Sequence, residues 1–479
     1  MKKSMKTKSL LYSLLITFYL FFNLTPISGT SKPACNSGGI LIQQSFQGIY
    51  DNLGEMNFTQ FSRQQNFVEC SSVQLKKRSQ KDILGLSIPL GNNPVKKIKL
   101  GVDVLLASRI DLVKGKRVGL ITNATGLTSD FESTIDVLYR QPEIKLVALF
   151  GPEHGIRGDI PAGESVAHYQ DERTGLPVYS LYGNQRRPTK EMLTGIDVLI
   201  YDIQDIGNRA YTYIYTMAYA MQAAHEQEIT FIVLDRPNPL SGIRVEGNIL
   251  EPAFSSFIGL FPIPQVYGMT VGELACFFNH EFNINCDLKI VPMTGWRREM
   301  YFEDTGLFWT PTSPHVPRAQ TALFVATTGC LGELDTISEG VGYPLPFEVV
   351  GAPWIDGQQL ANELNQRHLN GVFFRPLHFR PYYYRFANEQ CGGVQIHITN
   401  HLLFSPTATQ IHILAAIQKI FPAHNIFNTT RIQMFDKAFG TDKIRKAIAS
   451  GSSAEKIILS WQNELQQFLA KRAKYLIYK

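Results

Sequence analysis

From about residue 100 onward, short and almost unbroken apolar runs alternate with stretches whose apolar positions follow a helical period. The runs RVGLIT (117–122), KLVALF (145–150), VYSLY (178–182), DVLIYDI (197–203) and TFIVLD (230–235) read as strands, being rich in β-branched and aromatic residues. Residues 133–139 read as a helix between the first two, and 211–227 as a longer helix between the last two. Strands that are apolar along their whole length, not only at every second position, are what a parallel sheet covered on both faces requires. The pattern predicts an α/β architecture: a doubly wound, Rossmann-like parallel sheet over residues 99–290. Past residue 290 the texture is mixed, with aromatic and proline-rich stretches at 308–317, 343–354 and 373–386. Helices are expected at 358–369, 407–420 and 455–476, the last opening on Ser452 and Glu455 at capping-box spacing. Residues 291–479 are therefore expected to form a smaller α+β domain that completes the cleft.

The N-terminal segment is patterned differently. Lys2, Lys3, Lys6 and Lys8 precede an apolar run over residues 10–24 and a small polar stretch at 28–31, the layout of a secretory signal over residues 1–30. A retained membrane anchor is the alternative, and both place the body of the protein outside the cytoplasm, periplasmic or extracellular. Residues 31–98 are rich in Ser, Gln and Asn without a sustained apolar period, and read as a linker or loosely packed extension.

Composition narrows the classes. With 479 residues and 44% hydrophobic content, the chain is long and apolar enough for substantial cores. Its formal charge of +5 falls close to neutral once the four N-terminal lysines are set aside, which argues against a nucleic-acid partner. The six cysteines (Cys35, Cys70, Cys276, Cys286, Cys330, Cys391) lack metal or redox spacing. Cys276 with Cys286 is the nearest candidate disulfide, and buried free thiols are the alternative. No G-x-G-x-x-G opens a helix after the first strand, so no dinucleotide is expected, nor any other cofactor.

In open parallel sheets, ligands bind beyond the carboxyl ends of the strands. Asn123 follows the first strand, Glu153 and His154 the second, Asp202 to Asp205 the fourth, and Asp235 with Arg236 the fifth. In GPEHGIRG (151–158) glycines and a proline turn the chain and display Glu153, a placement suited to a general acid or base; the alternative is that Glu153 caps backbone and His154 packs beneath. In YDIQDIGNRAYTY (201–213), Asp202, Gln204, Asp205, Arg209, Tyr211 and Tyr213 surround a turn at Gly207 and suit a polyhydroxylated ligand, although Asp205 and Arg209 could instead pair structurally. DRPNPLSG (235–242) reads as a rigid turn that positions Asn238.

With these residues in view, the chain resembles the exo-β-N-acetylmuramidases of peptidoglycan recycling. The resemblance is carried by GPEHGIRGDIPAGE (151–164), TGLPVYSLYG (174–183), YDIQDIGNRAYTY, DRPNP, GNILEP (247–252), YGMTVGELA (267–275), ISEGVGYPLPFEVVGAP (337–353) and CGGVQIHI (391–398), in that order. Departures from the family pattern stand at Val266, Tyr267, Asp335 and Val341. The resemblance implies release of a terminal N-acetylmuramic acid from the non-reducing end of a glycan, with a peptidoglycan-derived saccharide as the partner molecule. Glycoside hydrolysis ordinarily uses an acid and a second carboxylate, or the substrate's own acetamido group. Glu153 is the expected acid, and Glu164, Glu339, Asp202 and Asp205 are candidates for the second group. Asn123, Gln204, Tyr211, Tyr213 and Asn238 are expected around the sugar, and Arg209, then Arg157, opposite its lactyl carboxylate. Two rival readings are a non-catalytic binding protein for wall saccharides, and a metal-dependent hydrolase using Glu153, His154, Asp202 and Asp205, which no metal-ligand spacing supports.

Overall fold

The computed structural model describes residues 97–157 and 168–479. All of these residues belong to the second of the chain's two units, Pro89–Lys479. The expected signal, nearly all of the expected linker, Cys35, Cys70 and Glu164 lie outside the described residues.

Within the second unit the strands β1 (Arg117–Thr122), β2 (Lys145–Gly151), β3 (Tyr169–Gln170), β4 (Pro177–Ser180), β5 (Val198–Asp202), β6 (Thr230–Leu234) and β9 (Leu288–Val291) form one sheet in the order β3-β4-β2-β1-β5-β6-β9. All pairings are parallel except β3 with β4. Both faces are covered, as the apolar runs require. Along β5, Leu199 and Tyr201 pack on the helices α3 (Tyr213–Glu226) and α4 (Val271–Glu281), while Val198 and Ile200 pack on α1 (Gly101–Ser108) and α2 (Thr134–Arg140). β6 splits in the same way, with Phe231 and Val233 on one side and Ile232 and Leu234 on the other. Each fully buried side chain of this kind contributes about 1.5–3 kcal/mol. From β1 the chain winds outward through β2 to β4, then crosses back to continue through β5, β6 and β9. The crevice beyond the carboxyl ends of β1 and β5, where Thr122 lies in register with Asp202, is thus a topological switch point.

A short antiparallel pair, β7 (Glu246–Ile249) with β8 (Pro264–Val266), follows β6. The smaller sheet is antiparallel in the order β10 (Val349–Ala352), β12 (Cys391–Ile398), β11 (Val372–Phe379). It packs with α5 (Thr321–Thr328), α6 (Gly357–Asn365), α7 (Pro406–Ile420) and α8 (Ile432–Phe439) around a second apolar core. Asp356 caps α6 and Ser405 caps α7, each accepting backbone N–H groups of the first turn.

One expectation is corrected here, and one pair of alternatives is decided. The helix expected over 455–476 is broken at Trp461 into α9 (Ala454–Ser460) and α10 (Gln462–Arg472), and its cap is Ser453, which accepts from Lys456 N, not Ser452. The break lets one apolar stripe serve two cores, with Ile457 and Trp461 in the second and Phe468 in the first. Cys276 and Cys286 are free thiols, as are Cys330 and Cys391. Burial pushes the first two up to about 11 and about 12, which keeps them protonated and unreactive. Among the described residues no helix is long and apolar enough to cross a membrane.

Candidate active site

Beyond β2 the chain leaves the sheet in a turn closed by Gly155 N donating to Pro152 O at 3.0 Å. His154 occupies the third position at φ +71° and Gly155 follows at φ +70°. A left-handed histidine is uncommon, and such strain concentrates at functional sites. The turn presents Glu153, half buried, to two hydroxyl groups. Thr212 Oγ1, just ahead of α3, donates to Glu153 Oε2 at 3.0 Å. Tyr182 reaches it from the end of β4, which is drawn close by Leu181 N donating to Gly151 O at 2.8 Å. Burial, with the charge of Glu153 adding to it, raises the Tyr182 phenol above its ordinary range, so it remains a donor. His154 is buried behind the turn, and its charge, after burial, lowers the pKa of His315 on the facing loop.

Tyr211 and Tyr213, flanking Thr212, donate to Thr312, to its Oγ1 at 2.8 Å and to its carbonyl at 2.5 Å. Asn123 Oδ1 accepts from Thr125 N and Oγ1, and Asn123 also meets the Tyr213 hydroxyl. Glu153, His154, Asn123, Tyr211 and Tyr213 therefore converge around Thr212 and Thr312. Thr312 and His315 lie in an aromatic stretch whose mixed pattern carries no strand or helix signal. Thr212 was inside a motif already singled out, but hidden among its larger neighbours.

The remaining rim residues serve the scaffold. Asp202 is fully engaged: Arg236 Nε and Nη2 donate to its two oxygens at 2.6 and 2.9 Å, and Thr134 Oγ1 adds a third bond at 2.6 Å. Gln204 Nε2 donates to the carbonyls of Asp205 and Pro237. Asn238 Nδ2 donates to Met269 O, while its Oδ1 accepts from Leu240 N and sits where a side chain at Gly207 (φ +78°) would be. Asp202, Gln204 and Asn238 are thus not placed to hold a sugar. Asp205 does not pair with Arg209. Its Oδ2 accepts from Gly207 N at 2.7 Å and from the Tyr267 hydroxyl, and its Oδ1 is buried without a partner. Burial pushes this carboxyl up to about 6, against the pull of those donors.

Of the two arginines expected at the lactyl group, Arg209 is enclosed and Arg157 is exposed but engaged by a carboxylate. Arg209 is completely buried, and its guanidinium donates to the carbonyls of Asn248, Ile263, Ala438 and Phe439, a clamp joining both parts of the unit. Arg157 is paired with Asp171 at 2.7 Å. A further cation beside Tyr182 is one that spacing did not reveal. Arg186 lies over the Phe257 ring at 4.3 Å, beside Tyr182, and its charge is felt by the Tyr182 phenol.

Tyr211 and His315 also line a cavity of about 450 Å³, within the range of small-ligand sites. Glu339 borders it from the smaller sheet's side, paired with Arg385 at 3.1 Å and raised from its ordinary range chiefly by burial, with Arg385 opposing. Of the departures, Val341 lines this cavity, whereas Val266 and Tyr267 are buried beneath the Gly207 turn. Among the described residues, no group of three or more His, Cys, Asp or Glu is placed to hold a metal ion.

Comparison with known proteins identifies the family. Residues 118–320 match the family described as exo-β-N-acetylmuramidase NamZ, N-terminal, and 324–478 its C-terminal counterpart. The chain is 48% identical over 382 residues to the peptidoglycan β-N-acetylmuramidase NamZ of Bacillus subtilis, covering 80% of this chain and 92% of that one. Two crystal structures of DUF1343 family proteins from Bacteroides fragilis share the fold, each spanning 80% of this chain and 99% of its own. The first has a TM-score of 0.77 at 44% identity and the second 0.64 at 28%. With both family domains present in order over most of its length, the chain belongs to the exo-β-N-acetylmuramidase family.

Proposed function

We propose that this protein is an exo-acting glycosidase that removes N-acetylmuramic acid from the non-reducing end of peptidoglycan fragments, with Glu153 as the general acid. The observation that carries the reading is the placement of Glu153. It stands on a strained turn at the carboxyl end of β2, next to the switch point, and two hydroxyl donors fix its carboxyl group. A sugar oxygen leaves poorly unless it is protonated, and an acid already oriented toward it lowers that barrier. Thr212 donates to Glu153 Oε2 and the Tyr182 hydroxyl also meets the carboxyl group, so the orientation of that group in the cleft is fixed.

A muramic acid residue carries a lactyl carboxylate that needs a cation when it leaves water. Arg186 supplies it, since its guanidinium rests on an aromatic ring beside Tyr182 and the residue is exposed. The signal-like N-terminus supports export to the compartment where such fragments arise. The direct test is incubation of the protein, without its first 30 residues, with a MurNAc-GlcNAc disaccharide and with intact glycan strands, followed by mass analysis. Free N-acetylmuramic acid is expected from both. Early appearance of long oligomers from the strands would mean internal cleavage and would overturn the exo assignment.

A further inference from the structure

The loop between β11 and β12 (380–390) keeps three consecutive tyrosines in water. Tyr382, Tyr383 and Tyr384 are 71%, 54% and 54% exposed, in a molecule that otherwise buries most of its large aromatic residues. The loop is also strained, because Tyr384, Phe386 and Asn388 all adopt left-handed backbone, at φ 66°, 55° and 66°. Such a conformation persists only where the surroundings impose it, and they do. Arg385 turns inward and donates to Ile337 O, Gly332 O and Glu339 Oε2. Tyr382 N donates to Gly342 O at 2.8 Å, and Asn388 N to Pro381 O at 2.8 Å. The inward residues hold the backbone while the tyrosines point away from any core.

Two of the tyrosines border the cavity beside the candidate site. Tyr383 and Tyr384 line the same cavity as Tyr211, and the Tyr383 hydroxyl lies 3.0 Å from His315 Nε2. His315 in turn feels His154, the neighbour of Glu153. Tyr383, tied through its hydroxyl to His315, and Tyr384, whose ring lies 5.2 Å from the Arg385 guanidinium, are rigidly based aromatic rings with remaining exposed surface on this cavity, which suits the C–H face of a pyranose ring.

We propose that Tyr383 and Tyr384, set by the 380–390 loop, form the platform for the sugar on the leaving side of the scissile bond, and so determine preference for a saccharide leaving group. This rests on the glycosidase reading above. It is tested by comparing two substrates, the MurNAc-GlcNAc disaccharide and muramosyl fluoride, which has no sugar on its leaving side. Tyr383→Ala and Tyr384→Ala are expected to lower kcat/KM on the disaccharide at least tenfold more than on the fluoride, mainly through KM, with melting temperatures recorded for each variant. Tyr383→Phe keeps the ring and should retain most of the disaccharide activity. Equal losses on both substrates, or a Tyr383→Phe defect as large as that of Tyr383→Ala, would overturn the platform. Failure of the unaltered enzyme to release muramic acid from either substrate would instead overturn the glycosidase reading.

Discussion

Glu153 is held by neighbours that donate, and this determines what its replacement should do. Glu153→Gln keeps the size of the group and a carbonyl oxygen for Thr212 and Tyr182, but removes the proton supply. The kcat on the natural disaccharide should fall by roughly two to four powers of ten, the usual worth of a positioned acid, while KM changes little. A phenyl muramoside with an activated leaving group, which scarcely needs protonation, should recover part of that rate. Near-normal kcat on the disaccharide would remove Glu153 from the role. The cation follows a similar logic. Arg186→Gln should weaken turnover of muramic substrates by roughly tenfold or more while sparing glucosaminides with the same leaving group, because only the former carry the anion. Equal losses on the two would show that Arg186 holds the loop and not the ligand. Arg186 was invisible beforehand because spacing along the chain does not report which arginine meets an aromatic ring and which meets backbone carbonyls.

At the level of elements, the strands were legible because burial on both faces leaves an unbroken apolar signature, and the strand ends then locate the rim without further information. What those ends do was less legible. Asp202, Gln204, Asp205 and Asn238 are polar for a structural reason: a turn buried under a second domain must satisfy its own backbone groups, and such residues look the same in sequence as ligand contacts. The platform loop was illegible for the opposite reason, since its conformation is imposed by Arg385 and Gly342 and has no periodicity. The Gly207 turn makes a pH prediction. Asp205 titrates near 6 in the folded protein, above the ordinary 3.8, so its neutral form favours folding at low pH and that contribution fades as pH rises from about 4 to about 6. At about 1.4 kcal/mol per unit, the loss approaches about 3 kcal/mol. Urea denaturation should show Asp205→Asn gaining stability relative to the unaltered protein across that window and holding level above it. A difference independent of pH would mean that Asp205 is not buried as a carboxylic acid.

The whole described unit depends on contacts that cross between its two larger apolar cores, and Arg209 is central among them. From the turn after β5 its guanidinium reaches Asn248 and Ile263 on one side and Ala438 and Phe439 at the end of α8 on the other. Two effects compete when it is replaced by methionine. Removing a fully buried charge relieves its desolvation, which already depresses the pKa of the group. Against this, four carbonyl oxygens lose a donor, of which Phe439 O retains Asn248 Nδ2 and Ile263 O retains Leu250 N, and an unsatisfied buried acceptor costs about 1–3 kcal/mol. The second effect is larger, because four hydrogen bonds to buried carbonyls are lost at once and the two parts of the unit lose their tie. Arg209→Met should therefore lower stability by on the order of 3 kcal/mol or more, seen as an earlier urea midpoint and a lower melting temperature. Since the guanidinium never reaches the cleft, the folded fraction should still prefer muramic over glucosamine substrates by the unaltered ratio. If stability is kept while that preference collapses, Arg209 contacts the lactyl group after all and the clamp is the wrong account of its burial.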